Sequence, residues 1–320
     1  MAHMIDTTSR ATASYASTQR EWHGLGQMMV AGASIEDWQR EAGMDYKVLR
    51  STIRYATERD LTSPEQFRTV EDKHVLFRSD TGAALGVVSD SYKVVQPMEV
   101  LEFFRDWANQ GGLTIESAGV LFGGKRYFAT AKLSDAVSVD GGRDKVVPYA
   151  LLSTSADGSL ATECRWTTVR TVCNNTLTMA RKGSAAFKVS HRSVFVADDA
   201  RAVVESAHEE FGAFMTAARY LATTKMNAKD AEDMTLRLLM RTNEEVTRAS
   251  AGFNRIMGLF NGEGKGSNFE TAHDTAWGWL NAVTEYADHH IRTRSDENRK
   301  ASALWGAGDA LKAKALAMVA

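Results

Sequence analysis

Closely spaced turn signals between strand-like segments constrain the fold of this chain more than any other feature. Gly123-Gly124, Asp140-Gly141 and Asp157-Gly158 each favour a tight reversal of the backbone. The segments between and around them are predicted as strands: Thr114–Phe122, Arg126–Leu133, Lys145–Ser153 and Ser159–Thr171. Because strands joined by such short turns pair antiparallel, we expect a β-meander and not a βαβ repeat.

The residues before the meander predict a helix, a strand, a hairpin and a second helix. Ser34 followed by Asp37 is typical of a capped helix start, and this helix should end near Gly43. A strand is expected over 46–55 and a hairpin over 74–92, with its turn at 80–82. Pro97 should open the second helix, and glycines at 111–112 should end it.

After residue 174 the pattern changes to that of helices. Apolar stripes predict helices over 203–222, 228–241, 244–260, 271–292 and 300–319. The predicted fold class is therefore α+β, an antiparallel β-meander with packed helices followed by a mainly helical C-terminal half. We expect a flexible segment over 1–20, an α+β core domain over 21–195 and a helical region over 196–320.

The composition restricts the compartment and the cofactors that we expect. Cys164 and Cys173 are the only cysteines in 320 residues, which favours a reducing, cytoplasmic location. The sequence contains no run of about 18 apolar residues, so no contact with a membrane is expected. The spacing of cysteines and histidines does not resemble a zinc site. We therefore predict no cofactor and no metal.

A local excess of positive charge stands out, although the formal net charge of the whole chain is −2. The segment from Leu160 to Arg192 contains six cations but only one acidic residue, Glu163. The cations are Arg165, Arg170, Arg181, Lys182, Lys188 and Arg192. Such a cluster predicts a surface for a polyanion.

Basic and aromatic residues also adjoin one another at two places in the meander. Lys125 and Arg126 precede Tyr127, and Arg165 precedes Trp166. Cations bind phosphates and aromatic rings stack on unpaired bases, so this pattern predicts contact with a single-stranded nucleic acid. In the alternative interpretation the rings belong to the core and only the cations face outward.

The segment after the last strand extends this set of candidate residues. Asn174 and Asn175 are interpreted either as caps of a strand-to-helix junction or, with Arg170, as direct ligand contacts. The predicted nucleic-acid-binding residues are Lys125, Arg126, Tyr127, Arg165, Trp166, Arg170, Asn174, Asn175, Arg181 and Lys182.

The sequence motifs that would indicate an enzyme are incomplete. The glycine-rich stretch 262–267 lacks the spacing of a phosphate-binding loop and is interpreted as a flexible connection. Glu285 and His289 are four residues apart and share a helix face, which suits either a metal or a solvated polar face. The serines lack a nucleophile-elbow pattern, so no catalytic residue is predicted.

Several motifs along the chain carry a resemblance to a known family. They are 36–38 with 42–46, 85–97 (LGVVSDSYKVVQP), 116–126 (ESAGVLFGGKR), the stretch 153–177, and 277–289. By these motifs the chain resembles a phage and plasmid protein family whose core is known only as a domain of unknown function. Ala156 stands where such proteins often have histidine, which weakens an enzymatic interpretation.

The order of helix, meander and basic hairpin is also similar to phage single-strand annealing proteins of the RecT, ERF and Red-beta types. This resemblance implies a single-stranded DNA-binding protein of a bacterial mobile element, acting in annealing or recombination as a homo-oligomer. Two alternatives stay open. One is a non-enzymatic scaffold or host-interaction protein, and the other is a metal-dependent enzyme acting on nucleic acid through Asp157, Glu285, Asp288 and His289.

Overall fold

The structure is a computed structural model that describes residues 14–15, 27–30, 32–57, 67–111, 114–171, 175–177, 186–191, 197–240 and 250–319. Its strands are β1 (Ser14–Tyr15), β2 (Gln27–Met28), β3 (Val48–Tyr55), β4 (Arg68–Arg78), β5 (Ala84–Ser89), β6 (Thr114–Leu121), β7 (Arg126–Lys132), β8 (Val137–Ser138), β9 (Lys145–Ser155), β10 (Thr162–Arg170), β11 (Asn175–Leu177) and β12 (Ala186–Val189). Its helices are α1 (Ile35–Glu41), α2 (Pro97–Gly111), α3 (Ala197–Thr223), α4 (Ala228–Leu239), α5 (Ala251–Gly258), α6 (Ala276–Glu285), α7 (Asp296–Trp305) and α8 (Ala307–Val319).

The larger sheet contains the predicted meander. Strands β6, β7, β9 and β10 pair antiparallel in that order, and β11 and β12 both pair with β10. At the other end, β1 pairs with β6. Gly123 and Gly158 have positive φ values of 68° and 74°, as tight reversals require. The α+β class and the meander are confirmed.

A second sheet of three strands has the order β3-β4-β5. It contains the predicted hairpin, which turns between β4 and β5. The predicted strand over 46–55 begins two residues later, at Val48, because Tyr46 turns into the core instead. There its hydroxyl donates to the Gly124 carbonyl at 2.9 Å.

The starts of the first two helices follow their sequence signals. Ser34 caps α1 through a reciprocal capping box with Asp37, and Pro97 is the first residue of α2. The ends of α1 and α2, at Glu41 and Gly111, also agree with the prediction, but two helices of the C-terminal half depart from it. The expected helix over 271–292 is α6 followed by a π-helical turn at Tyr286–His290, and the expected helix over 300–319 is two helices that separate at Gly306.

The larger of the two buried hydrophobic clusters formed by the described residues lies between the two sheets and the helices. It includes Trp38, Trp166 and Trp277, so it continues across the predicted boundary near residue 195. Cys164 belongs to it and is a free thiol, whose pKa burial raises to about 12. Cys173 lies outside the described residues. The division into a core domain and a helical region stays a prediction.

Candidate nucleic-acid interface

Side-chain alternation in the larger sheet divides the predicted site residues between its two faces. Successive side chains of a strand point to opposite faces, and antiparallel partners share a face. The register pairs Tyr127 with Thr154 and Trp166 with Ala150 on one face, called here the inner face. It pairs Arg126 with Ser155 and Arg165 with Leu151 on the opposite, outer face. Among the predicted site residues that the structure describes, the cations and the aromatic rings therefore do not form one continuous surface.

The two predicted stacking residues are core residues. Tyr127 and Trp166 are each 1% exposed. The Tyr127 hydroxyl donates to the Val95 carbonyl, and the Trp166 indole nitrogen donates to a Glu210 carboxylate oxygen at 2.6 Å. Because neither ring has a solvent-facing side, the hypothesis that they stack on bases loses its structural basis. The sequence pattern failed here because core aromatics and base-stacking aromatics have the same residue types.

Arg170 is also an inner-face residue, held in a buried polar network. Its guanidinium donates to both carboxylate oxygens of Asp144, at 2.6 and 2.8 Å. The same carboxylate accepts from the Thr271 hydroxyl at 2.6 Å and from the Trp277 indole nitrogen at 3.0 Å. With 3% exposure, Arg170 has no route to a phosphate in this structure. Its role is to join the meander to the helical half.

Arg165 lies on the outer face but beneath the helices α7 and α8. Its guanidinium is 3.0 Å from the Asp309 carboxylate and 3.7 Å from that of Glu163. Within the described part of the chain, Nε and Nη2 of Arg165 and Oε1 of Glu163 are buried without a hydrogen-bond partner. Burial raises the pKa of the Glu163 carboxyl. Because the Asp309 carboxylate already lies against the Arg165 guanidinium, a phosphate could reach Arg165 only by displacing it.

Lys125 and Arg126 lie at the turn between β6 and β7, as predicted. Both are partly exposed. The Arg126 guanidinium donates to the Ser159 hydroxyl at 3.0 Å and lies over the Phe122 ring. Asn174, Arg181 and Lys182 lie outside the described residues. The backbone of Asn175 pairs with that of Arg170 in the sheet.

The outer face also contains three lysines that are not among the predicted nucleic-acid-binding residues. Lys132, Lys145 and Lys188 occupy positions on the same face as Arg126 and Arg165, according to the register of β7, β9, β10 and β12. Lys145 and Lys188 are exposed, and Lys132 is partly exposed with Asp135 at 2.8 Å. Counting every second residue along each predicted strand would have separated the two faces. The middle of the outer face is covered, since Phe128 and Leu151 pack against Leu304 and Trp305 of α7, so the candidate interface consists of the exposed cations beside it.

The hydroxyl-rich stretch before the turn at 157–158 is mostly structural. The hydroxyls of Thr154 and Thr162 lie 2.8 Å apart, and the Ser155 hydroxyl bonds both backbone groups of Leu160. The Asp157 carboxylate accepts from the Ser159 amide at 2.9 Å, which closes the turn. Ala156 is completely buried. These hydrogen bonds hold the loop whose Ser159 hydroxyl accepts from Arg126.

The acidic and histidine cluster of the C-terminal half also serves the fold. Asp288 and Lys312 form a buried ion pair of 2.6 Å. Glu285 accepts from the Lys265 backbone amide at 2.9 Å and so orders the glycine-rich stretch that was expected to be flexible. Arg255 donates to the ring of His290 at 3.3 Å. Among the described residues, no group of three histidine, cysteine or acidic side chains is placed to hold a metal.

A comparison with protein families identifies the family of this chain. The model of the family described as "Domain of unknown function (DUF932)" matches residues 84–305. The chain belongs to the DUF932 family. The match confirms the resemblance to a domain of unknown function that the sequence motifs indicated. No curated protein and no solved structure matches the chain.

The DUF932 match places the candidate interface within the family domain. It begins at β5, contains the whole of β6 to β12 and ends at Trp305, the last residue of α7. Each outer-face cation named above lies inside it. Strands β3 and β4 of the smaller sheet and helix α8 lie outside it. Within the described residues, no helix combines the length and apolarity needed to cross a bilayer.

Proposed function

We propose that this DUF932 protein binds single-stranded nucleic acid along the outer face of its larger sheet. The observation that carries the proposal is the register, which brings the partly or fully exposed Arg126, Lys132, Lys145 and Lys188 onto one face. Binding is electrostatic and follows the phosphate backbone, since the predicted stacking residues are buried. Cations concentrated on one face create a local positive potential although the net charge of the chain is close to zero. Such a face favours a polyanion as its ligand.

The biological setting belongs to the same proposal. A role in DNA annealing or recombination on a phage or other mobile element follows from the family resemblance and from the similarity to single-strand annealing proteins. Those proteins work as rings or filaments, so a homo-oligomer is part of the proposal. The cytoplasm of a bacterial host is the corresponding location.

Fluorescence anisotropy with a labelled oligothymidine strand at low salt tests the proposal. The variant Lys145→Glu/Lys188→Glu reverses two exposed cations of the outer face. Its matched control, Lys225→Glu/Lys229→Glu, makes the same change in net charge at exposed positions near the start of α4. We expect roughly tenfold weaker binding for the outer-face variant and little change for the control. Equal weakening of both, or no binding by the unmodified protein, would contradict the proposal.

A second candidate function, a non-enzymatic assembly scaffold, is favoured by the smaller sheet. Leu49, Val75 and Val87 project from one face of that sheet, and Val87 is 59% exposed. Exposed apolar residues grouped in this way are typical of protein interfaces. Light scattering should then detect an oligomer that Val87→Glu dissociates. Tyr220→Glu, at an exposed position of α3, should leave the oligomer intact.

A further inference from the structure

The outer edge of β3 has backbone groups that point away from its sheet. The Ser79 amide donates to the Lys47 carbonyl at 2.9 Å, so odd-numbered residues at this end of β3 bond towards β4. Even-numbered residues, including Arg50 and Thr52, therefore direct their N–H and C=O groups outward. Among the described residues, β4 is the only strand that pairs with β3.

A side-chain amide occupies the first position of this edge in the manner of a neighbouring strand. The Gln96 amide oxygen accepts from the Val48 N–H at 2.8 Å, and the Gln96 amide nitrogen donates to the Val48 carbonyl at 3.1 Å. This pair reproduces the two bonds that a peptide group of an antiparallel partner would form. The position of a fourth strand is thus partly built into the molecule.

A groove of about 420 Å³ continues from Gln96 along this edge, and Val48, Arg50, Lys93 and Glu99 contribute to its lining. This volume is in the range that small ligands and short segments occupy. The Arg50 guanidinium donates to the carbonyls of Asp90 and Tyr92, at 3.2 and 2.7 Å, and so fixes one wall.

The charges around the groove favour an acidic occupant. The Asp90 carboxylate is 3.0 Å from His74 and 3.5 Å from Arg50, so its charge is paired. The Glu99 carboxylate accepts from the backbone N–H of Gln96, just before the start of α2. Lys93, which lines the groove, and Arg54, farther along β3, are exposed and form no ion pair within the described residues. An incoming chain therefore meets two cations that it can neutralise.

We propose that an extended acidic peptide segment of a partner protein binds to the outer edge of β3 as a fourth strand. Its main chain pairs with the outward groups of Arg50 and Thr52, beyond the position that Gln96 already satisfies. Its acidic side chains reach Arg54 and Lys93. This surface is separate from the outer face of the larger sheet, so either proposal can fail without the other.

The test uses a short fluorescein-labelled peptide that alternates glutamate with valine. In an extended chain all the glutamate N–H groups point to one edge and all the valine N–H groups to the other. Two further peptides carry N-methyl groups on the glutamates or on the valines. We expect the unmodified peptide to bind and one of the methylated peptides to bind at least about tenfold more weakly than the other. Equal binding of the two methylated peptides, or no binding of the unmodified one, would overturn the proposal.

Protein variants give an independent reading of the same contact. Thr52→Pro removes one outward N–H while leaving the bonds between β3 and β4, and Thr52→Ala keeps that N–H. We expect weaker peptide binding with Thr52→Pro alone. The double variant Arg54→Glu/Lys93→Glu should weaken binding of the glutamate peptide and spare a glutamine peptide of the same length. An oligothymidine strand that displaces the peptide would contradict the proposal, because phosphates need no strand edge.

Discussion

At the scale of single residues, burial decides which charges are available for binding. Arg170 and Arg165 are equally basic in sequence, yet each lies against a carboxylate, Asp144 or Asp309. A guanidinium held in this way must lose its partner before it can bind a phosphate. The exposed cations Lys145 and Lys188 carry no such cost. The candidate interface therefore depends on these lysines more than on Arg165 and Arg170.

The Asp144 network predicts a large effect on stability. Asp144→Ala leaves the buried Arg170 without its carboxylate and Thr271 and Trp277 without their acceptor, so we expect a loss of about 3–5 kcal/mol in the free energy of unfolding. Urea denaturation measures it. Asp135→Ala, which removes the exposed partner of Lys132, should leave the midpoint nearly unchanged. Similar midpoints for the two variants would show that the network does not stabilise the fold.

His290 predicts a dependence of stability on acid. Burial, followed by the charge of Arg255, lowers the pKa of His290 to about 4 from its ordinary value near 6.5. The unfolded chain therefore binds a proton between pH 6.5 and pH 4 that the folded chain does not, and stability falls as the pH falls through this range. We expect a loss of roughly 2–3 kcal/mol from this residue.

Urea denaturation at a series of pH values measures the contribution of His290. His290→Gln should flatten the curve between pH 6.5 and pH 4, since glutamine can still accept the bond from Arg255. His273→Gln, at a mostly exposed position, should not change the slope. Parallel curves for His290→Gln and the unmodified protein would contradict the assignment.

At the scale of elements, the helix boundaries of the C-terminal half are set by close packing and by local changes of helical geometry. The first turn of α6 packs at Gly278 directly against the backbone of Ala272. The π-helical turns at Leu259–Glu263 and Tyr286–His290 end α5 and α6. The apolar stripes in the sequence continue through these places. They predicted the presence of helices but not their breaks, because a stripe records which side is buried and not what it packs against.

Two glycine substitutions should have opposite effects on the helices. A Cβ at position 278 would lie 1.8 Å from the Ala272 carbonyl oxygen, so Gly278→Ala should destabilise the protein by several kcal/mol. A Cβ at position 212 in α3 would meet no atom within 4 Å, so Gly212→Ala should stabilise it by roughly 0.5–1 kcal/mol. Thermal melting measures both. Effects of the same sign would contradict the packing described here.

At the scale of the whole molecule, local signals were enough for the meander of β6, β7, β9 and β10 but not for the site. They were also not enough for β11 and β12, which follow residue 174 where helices were expected. Turn residues and strand spacing predicted the meander, since both are encoded within a few positions. The partners of Arg170 lie 26 residues away at Asp144 and about a hundred away in the 265–266 backbone, and no local pattern pairs them. The site residues were therefore identified by type before their faces were known, and Tyr127 and Trp166 proved to be core.

The central claim is that the outer face of the larger sheet binds the backbone of a single-stranded nucleic acid. Its most direct test is the salt dependence of oligothymidine affinity for the unmodified protein and for Lys145→Glu/Lys188→Glu. If both lysines contact phosphates, the slope of log affinity against log salt should become shallower by about 1.4 in the variant. An unchanged slope, or affinity that does not depend on salt, would contradict the claim.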